Sequence, residues 1–190
     1  GAVVVPTLVL VNGVDVGGFG GRGSGSGSVA GGSGSVGSGS ASRGARAVYV
    51  GALDARFDWA QVVAWAQAHP EVEFVIAGPA GSPPAGLPSN VSLLGAVAYD
   101  ALPALLQSAR VGLLPLSDDP LNAGRSPMKL YEYLAAGLAV VARETPVLRP
   151  DAASGVFTYA RADEADAALA RALRHPSPNA AGVARAPAES

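Results

Sequence analysis

A lysine and a glutamate about one helical turn apart could bind a ligand, and the residues before them predict the start of a helix. Ser126 can cap a helix, and Pro127 fits its first position without losing a hydrogen bond. The free N–H groups and positive dipole end of such a helix attract anions. Lys129 falls in the first turn, where a cation opposes the dipole, so the pattern favours a phosphate between the helix end and the ammonium.

Glu132 lies three residues after Lys129 and therefore on the same helical face. Two interpretations stay open: an ion pair with Lys129, or a carboxylate that accepts hydrogen bonds from ribose hydroxyls, as in dinucleotide-binding folds. Lys129 is the only lysine among thirteen basic residues, which fits either a ligand role or a general bias toward arginine. Tyr131 and Tyr133 flank Glu132, and we expect one in the core and the other along a cleft.

Strand-like and helix-like runs alternate between residues 45 and 175. Short β-type runs are predicted at 47–51, 72–78, 91–94, 111–115, 138–142 and 156–159, and helices at 57–68, 99–109, 127–136 and 163–174. This alternation indicates βαβ units and a parallel sheet with helices on both faces. The predicted fold class is α/β, with a doubly wound parallel sheet.

Three predicted loops leave the carboxyl ends of the strands, where open α/β sheets bind ligands. They are residues 51–58, 78–89 and 116–126, and the last runs directly into the helix that carries Lys129. Asp118 and Asp119 in this loop favour either a Mg²⁺ site or, because adjacent side chains diverge, a solvated turn.

The composition separates a folded region from low-complexity ends. We predict an inter-domain strand element at 1–20, a flexible Gly/Ser linker at 21–44, a folded domain at 45–175 and a frayed tail at 176–190. The absence of cysteine excludes disulfides and thiolate metal sites, and a net charge of −2 gives no basic face for nucleic acid. No apolar run approaches the ~20 residues of a membrane-spanning helix. His69 and His175 each precede a proline, and we interpret both as helix ends rather than metal ligands.

Several motifs in series carry a family resemblance. The run 126–142 reads SPMKLYEYLAAGLAVVA, and it is preceded by NGVD at 12–15, YVGALDARFD at 49–58, FVIAGP at 74–79, NVSLLG at 90–95 and YDALP at 99–103. Together they resemble the C-terminal domain of GT-B glycosyltransferases, particularly the bacterial family-4-like enzymes of surface polysaccharide assembly. The resemblance implies a Rossmann-like domain that binds a nucleoside-diphosphate sugar.

Residue by residue, the resemblance implies a donor site around the predicted helix start. Glu132 resembles the glutamate that holds the ribose hydroxyls, and Lys129 with the backbone after Ser126 lies near the donor diphosphate. Gly51 begins the loop under the phosphates. The resemblance assigns no catalytic residue in this chain.

Four further residues are placed by the same resemblance. Arg56 stands near the family's basic phosphate ligand, with a surface ion pair to a neighbouring aspartate as the open alternative. Asn122, Gly124 and Arg125 lie where the donor sugar is contacted. Gly124 stands where the family has an acid eight positions before the ribose-binding glutamate, which leaves the sugar contact and the stereochemical outcome open.

The implied function is a hexosyltransferase-type glycosyltransferase domain in polysaccharide biosynthesis. The expected donor is a UDP- or GDP-sugar, used without a cofactor or metal. The expected acceptor is a saccharide or a lipid-linked molecule. We expect an N-terminal acceptor domain as the partner half, because none precedes Asn12. The expected location is cytoplasmic, or the inner face of the membrane through that half. Two alternatives stay open: an isolated nucleotide-sugar-binding module without turnover, and a non-catalytic α/β interaction domain.

Overall fold

A computed structural model describes residues 44–79, 83–123 and 128–186. The predicted strand element at 1–20 and the predicted linker, apart from Gly44, lie outside the described residues. So do the helix-start residues 124–127 and the last four residues of the chain.

Within the described residues, six parallel strands form one sheet. They are β1 (Arg46–Val50), β2 (Glu73–Ala77), β3 (Val91–Gly95), β4 (Val111–Leu114), β5 (Ala139–Arg143) and β6 (Val156–Tyr159). Their order across the sheet is β3-β2-β1-β4-β5-β6. From β1 the chain adds β2 and β3 toward one edge of the sheet. It then crosses back to place β4 beside β1, and adds β5 and β6 toward the other edge. This confirms the predicted α/β doubly wound sheet.

Helices cover both faces of this sheet. They are α1 (Trp59–Ala68), α2 (Leu102–Ser108, after a 3₁₀ turn at Tyr99–Ala101), α3 (Met128–Ala135), α4 (Ala162–Arg174) and α5 (Ala180–Arg185). Helices α1 and α4 contribute to one apolar core, and α2 and α3 contribute to the other. None of these helices is long and apolar enough to span a bilayer.

The strands supply side chains to both cores at once. All four residues of β4 are buried, and so are four of the five in β2. Val111 and Leu113 belong to the core under α1 and α4, whereas Leu114 belongs to the core under α3. Successive side chains of a strand point to opposite faces, so a strand covered on both sides has no polar positions. This is why β4 and the buried part of β2 read as unbroken apolar runs.

Helix α1 begins two residues later than the periodicity predicts. The Asp58 carboxylate accepts a hydrogen bond from the Gln61 N–H at 2.9 Å and caps the helix, which therefore starts at Trp59. Phe57 was predicted to be helical, but it forms an isolated β-bridge with Leu116. The bridge joins the loop after β1 to the loop after β4.

The two histidines end helices, as predicted. His69 follows α1 and His175 follows α4. His69 also lies 3.3 Å from the Glu71 carboxylate and 2.8 Å from that of Asp166, and among the described residues neither histidine belongs to a metal-binding cluster.

The prediction of a frayed tail is wrong for residues 176–186, because α5 packs against α3. Asn179 organises this segment from a buried position. Its side-chain amide donates to the carbonyl oxygens of Leu138 at 3.0 Å and Ser154 at 2.9 Å, and its Oδ1 accepts from the Gly182 N–H at 2.9 Å. Periodicity missed α5 because the helix is short and is held by contacts with distant residues.

Replacing Asn179 with alanine should lower the free energy of unfolding by about 2–3 kcal/mol, since it leaves buried backbone groups without partners. Urea denaturation measures the change. Gln107→Ala, which removes an exposed amide from α2, is the matched control and should change stability by less than about 0.5 kcal/mol. Equal effects of the two substitutions would show that Asn179 does not hold the tail.

Candidate functional site

The sheet opens at the point where its strand order reverses. β1 pairs with β2 along all five residues, but its ladder with β4 consists of the pairs Ala47↔Val111 and Val48↔Gly112. The loops after β1 and β4 then lead to α1 and α3, which lie on opposite faces of the sheet. In open α/β sheets, the crevice at such a reversal is the usual ligand site.

Gly51 lies at the floor of this crevice, directly beneath the side chain of Lys129. A Cβ added to Gly51 would lie 2.8 Å from Lys129 Cε, 3.0 Å from Lys129 Nζ and 2.8 Å from the Tyr49 hydroxyl. On the other side, a Cβ added to Gly78 would lie 1.8 Å from the Gly51 carbonyl oxygen. The structure therefore brings together two residues predicted for the site, Gly51 and Lys129, and it does so because neither glycine carries a side chain.

Glu132 is the second predicted side chain on α3. Its side chain is buried, at 5% exposure, and among the described residues its Oε1 has no hydrogen-bond partner. Burial raises the pKa of Glu132, and the nearby Lys129 opposes that shift. Because the two residues are three apart on one helix, the carboxylate lies on the face that carries the lysine into the crevice. A buried carboxylate oxygen of this kind requires a donor, which hydroxyl groups of a ligand can supply.

The Arg56 side chain forms an ion pair with Asp54 at the surface. Its guanidinium Nε lies 2.9 Å from Asp54 Oδ1, and the pair is partly exposed. Of the two interpretations left open by the sequence, the structure shows the surface ion pair. The backbone carbonyl of Arg56 has a different role, since it accepts a hydrogen bond from the Ser117 N–H at 2.9 Å.

Asn122 joins the two loops that border the crevice. Its side chain is 3% exposed, and its amide Nδ2 donates to the carbonyl oxygens of Arg56 at 3.2 Å and Ser117 at 3.0 Å. The Ser117 hydroxyl donates to the carbonyl of Ala55 at 2.8 Å and strengthens the same junction. Asn122, predicted near the donor sugar, thus bonds to backbone. Gly124, Arg125 and Ser126 lie outside the described residues.

The acidic pair in the loop after β4 forms a turn. Asp119 accepts a hydrogen bond from the Leu121 N–H at 2.8 Å and caps a 3₁₀ turn, while Asp118 pairs with the guanidinium of Arg143 at the end of β5. This matches the solvated-turn interpretation. Local patterns do not predict this ion pair, because Asp118 and Arg143 lie 25 residues apart in the chain.

Tyr133 is the core member of the tyrosine pair, and Tyr131 is partly buried. The Tyr133 hydroxyl lies 2.9 Å from the backbone nitrogen of Val50, the last residue of β1. The expectation that one tyrosine belongs to the core is confirmed. That the core tyrosine also contacts the strand beneath the site was not predicted.

Comparison with known proteins places this geometry in a family. A family model described as glycosyl transferases group 1 matches residues 44–175, and no curated protein matches the chain. The fold is similar to that of Anabaena HepE in complex with UDP-glucose, with a TM-score of 0.57, 19% identity, and coverage of 76% of this chain and 43% of that chain. It is also similar to AviGT4, a glycosyltransferase involved in avilamycin A biosynthesis, with a TM-score of 0.53, 23% identity, and coverage of 76% of this chain and 46% of that chain. For TarM the TM-score is 0.55 and the identity 13%, with coverage of 77% of this chain and 31% of that chain.

The sheet and its open switch point define the class as a Rossmann-like domain with the GT-B glycosyltransferase fold. Because the family model covers more than half of the sequence, the chain belongs to the glycosyl transferases group 1 family. This confirms the resemblance drawn from the motifs. The chain spans less than half the length of the solved structures named above.

Gly51→Ala should destabilise the protein by about 1–3 kcal/mol, because the new Cβ would displace the Lys129 and Tyr49 side chains at a backbone φ of 157°. Thermal denaturation followed by circular dichroism measures the loss. Gly44→Ala is the matched control, since a Cβ there meets nothing within 4 Å. A normal melting temperature for Gly51→Ala would contradict the close packing of the crevice floor.

Glu132→Gln should stabilise the protein at neutral pH. Because burial raises the pKa of Glu132 in the folded state, the folded protein binds a proton more tightly than the unfolded chain. Stability is therefore lost as the pH rises from the ordinary glutamate range through the raised value. The substitution should flatten this decline and raise the free energy of unfolding at pH 7. Urea titrations between pH 4 and pH 8 test it.

Glu71→Gln is the control for this series. The pKa of the exposed Glu71 is lowered, first by a hydrogen bond to its own backbone, so its replacement should give no gain at pH 7. If the free energy of unfolding of Glu132→Gln changed with pH as it does in the wild type, burial would not destabilise the ionised form of Glu132.

Proposed function

We propose that this domain binds the nucleoside-diphosphate sugar donor of a glycosyltransferase of hexosyltransferase type. The observation that carries the proposal is that the Lys129 ammonium, above Gly51, and the buried Glu132 carboxylate lie on the same face of α3. A cation and an acceptor-only group one turn apart match the two ends of a ribose diphosphate. A diphosphate needs positive charge, and ribose hydroxyls need acceptors.

Lys129 is proposed to contact the diphosphate together with backbone N–H groups at the start of α3. When the glycosidic bond to the donor sugar breaks, negative charge develops on the departing diphosphate. A fixed ammonium and oriented N–H dipoles stabilise that charge in the transition state, and electrostatic stabilisation of this kind is a large catalytic term. Because Gly51 has no side chain, the phosphates are proposed to approach its backbone as well as the Lys129 ammonium.

Glu132 is proposed to accept hydrogen bonds from the ribose hydroxyls. The free carboxylate is penalised by burial, so its charge is most stable when two donors satisfy it. Binding of the ribose would then lower the pKa of Glu132 from its raised value. The proposed reaction proceeds without a cofactor or metal.

The acceptor is proposed to be a saccharide or a lipid-linked saccharide. Solved structures that resemble the chain are more than twice as long as the part that matches. We therefore assign the acceptor site to an N-terminal domain and assign only donor binding to the residues described. The location is proposed to be cytoplasmic, or the membrane's inner face through that domain, with a role in polysaccharide biosynthesis.

Replacement of Lys129 with methionine should weaken binding of UDP or GDP by about 1.5–3 kcal/mol, the range for hydrogen bonds to charged groups. Isothermal titration calorimetry with UDP and GDP measures the affinities. Arg174→Met, which removes an exposed cation from the last turn of α4, is the matched control and should leave both affinities unchanged. Unaltered binding by Lys129→Met would remove the lysine from the site.

A second candidate is a nucleotide-sugar-binding module without turnover, because the groups argued above, Lys129 and Glu132, account for donor binding alone. Release of free sugar from UDP-glucose or transfer to an added saccharide distinguishes the two. A chain that binds the donor and does neither is the module. No binding of UDP, GDP or their sugars would overturn both candidates.

A further inference from the structure

We propose that Tyr133 is a positioning residue of the donor site. Its hydroxyl holds α3 against the end of β1 and so sets the separation between Lys129 and Gly51. The inference rests on the proposed function, because the position of α3 matters for binding only if the crevice receives the diphosphate.

The Tyr133 hydroxyl takes the place of a backbone acceptor that the β1–β4 ladder does not supply. In a parallel sheet, successive N–H groups of a central strand point alternately to its two neighbours. The Gly51 N–H donates to Ala77 of β2 at 2.9 Å, whereas the Val50 N–H, one residue earlier, donates to the Tyr133 hydroxyl at 2.9 Å. The pairs of the β1–β4 ladder end before Val50. A side-chain oxygen therefore accepts the bond at the place where the sheet opens.

The ring of Tyr133 packs closely against β4 at Gly112. A Cβ added to Gly112 would lie 2.4 Å from Tyr133 Cδ2 and 2.5 Å from its Cγ, so the ring lies directly on the β4 backbone. The side chain is 1% exposed. Tyr133 thus contacts β4 through its ring and β1 through its oxygen, and it spans the two strands between which the crevice opens.

This anchor acts on the site through the helix. Tyr133 directly follows Glu132 and lies four residues after Lys129, so all three belong to about one turn of α3. The Lys129 side chain already lies close to Gly51, the residue after the hydrogen-bonded Val50. A shift of the helix relative to β1 changes that separation directly, and small displacements of binding groups cause large losses.

Tyr133→Phe tests the anchor, because it removes the oxygen and keeps the ring over Gly112. In the full chain, the dissociation constants of UDP and GDP should rise roughly three- to tenfold, the equivalent of one hydrogen bond. Those of uridine and guanosine should change less, because they lack the diphosphate that spans Gly51 and α3. Amide hydrogen exchange at Val50, measured without ligand, should become faster.

Two controls separate positioning from stability. Tyr159→Phe removes the hydroxyl of another buried tyrosine, on the opposite face of the sheet, which has no hydrogen-bond partner among the described residues. Leu169→Ala destabilises the core under α4, far from α3 in the fold. Both should leave the dissociation constants of UDP and GDP unchanged.

The outcomes separate this inference from the proposed function. Wild-type affinity for UDP and GDP in Tyr133→Phe overturns the positioning role and leaves the proposed function standing. Unchanged exchange at Val50, or an equal loss of affinity in Leu169→Ala, also overturns the role alone. Failure of the wild-type chain to bind either diphosphate overturns the proposed function and the role together.

Discussion

The architecture depends on the early end of the ladder between β1 and β4. Because the chain winds outward from β1 in both directions, the loops after these two strands diverge to opposite faces, and the sheet opens between them. An opening in a sheet exposes backbone N–H groups that need partners. The Tyr133 hydroxyl accepts from Val50, and the Pro115 carbonyl accepts from Asp58. The crevice is therefore a hydrogen-bonded gap in the sheet and not a packing defect.

Three glycines allow groups to approach the backbone around this gap. Gly51 lies beneath Lys129, Gly78 makes room for the Gly51 carbonyl, and Gly112 receives the ring of Tyr133. The packing fixes α3 relative to β1, and it brings the Glu132 carboxylate into a place where burial penalises its charge. A site that binds a charged ligand often keeps such unfavourable groups, because the ligand supplies the missing partners.

Several residues at the crevice could be predicted from the sequence because their signals are local. The spacing of Lys129 and Glu132 places them on one helix face, and Gly51 follows a buried strand. For Arg56 the structure shows one of the two alternatives left open by the sequence, whereas for Asn122 it shows a partner that local patterns do not reveal. Arg56 bonds to Asp54 at close range, and Asn122 bonds to the backbone of a loop distant in the chain.

The sequence alone determined the fold class, the alternation of strands and helices, and the helix that presents a cation and an acid. Those features depend on the period of apolar residues and on local capping preferences, which act over a few positions. Tertiary structure alone decided where the sheet opens, which tyrosine anchors α3, and that Asn179 holds α5 in place. These outcomes depend on hydrogen bonds between segments far apart in the chain, and such pairings exist only once the sheet has brought the segments together.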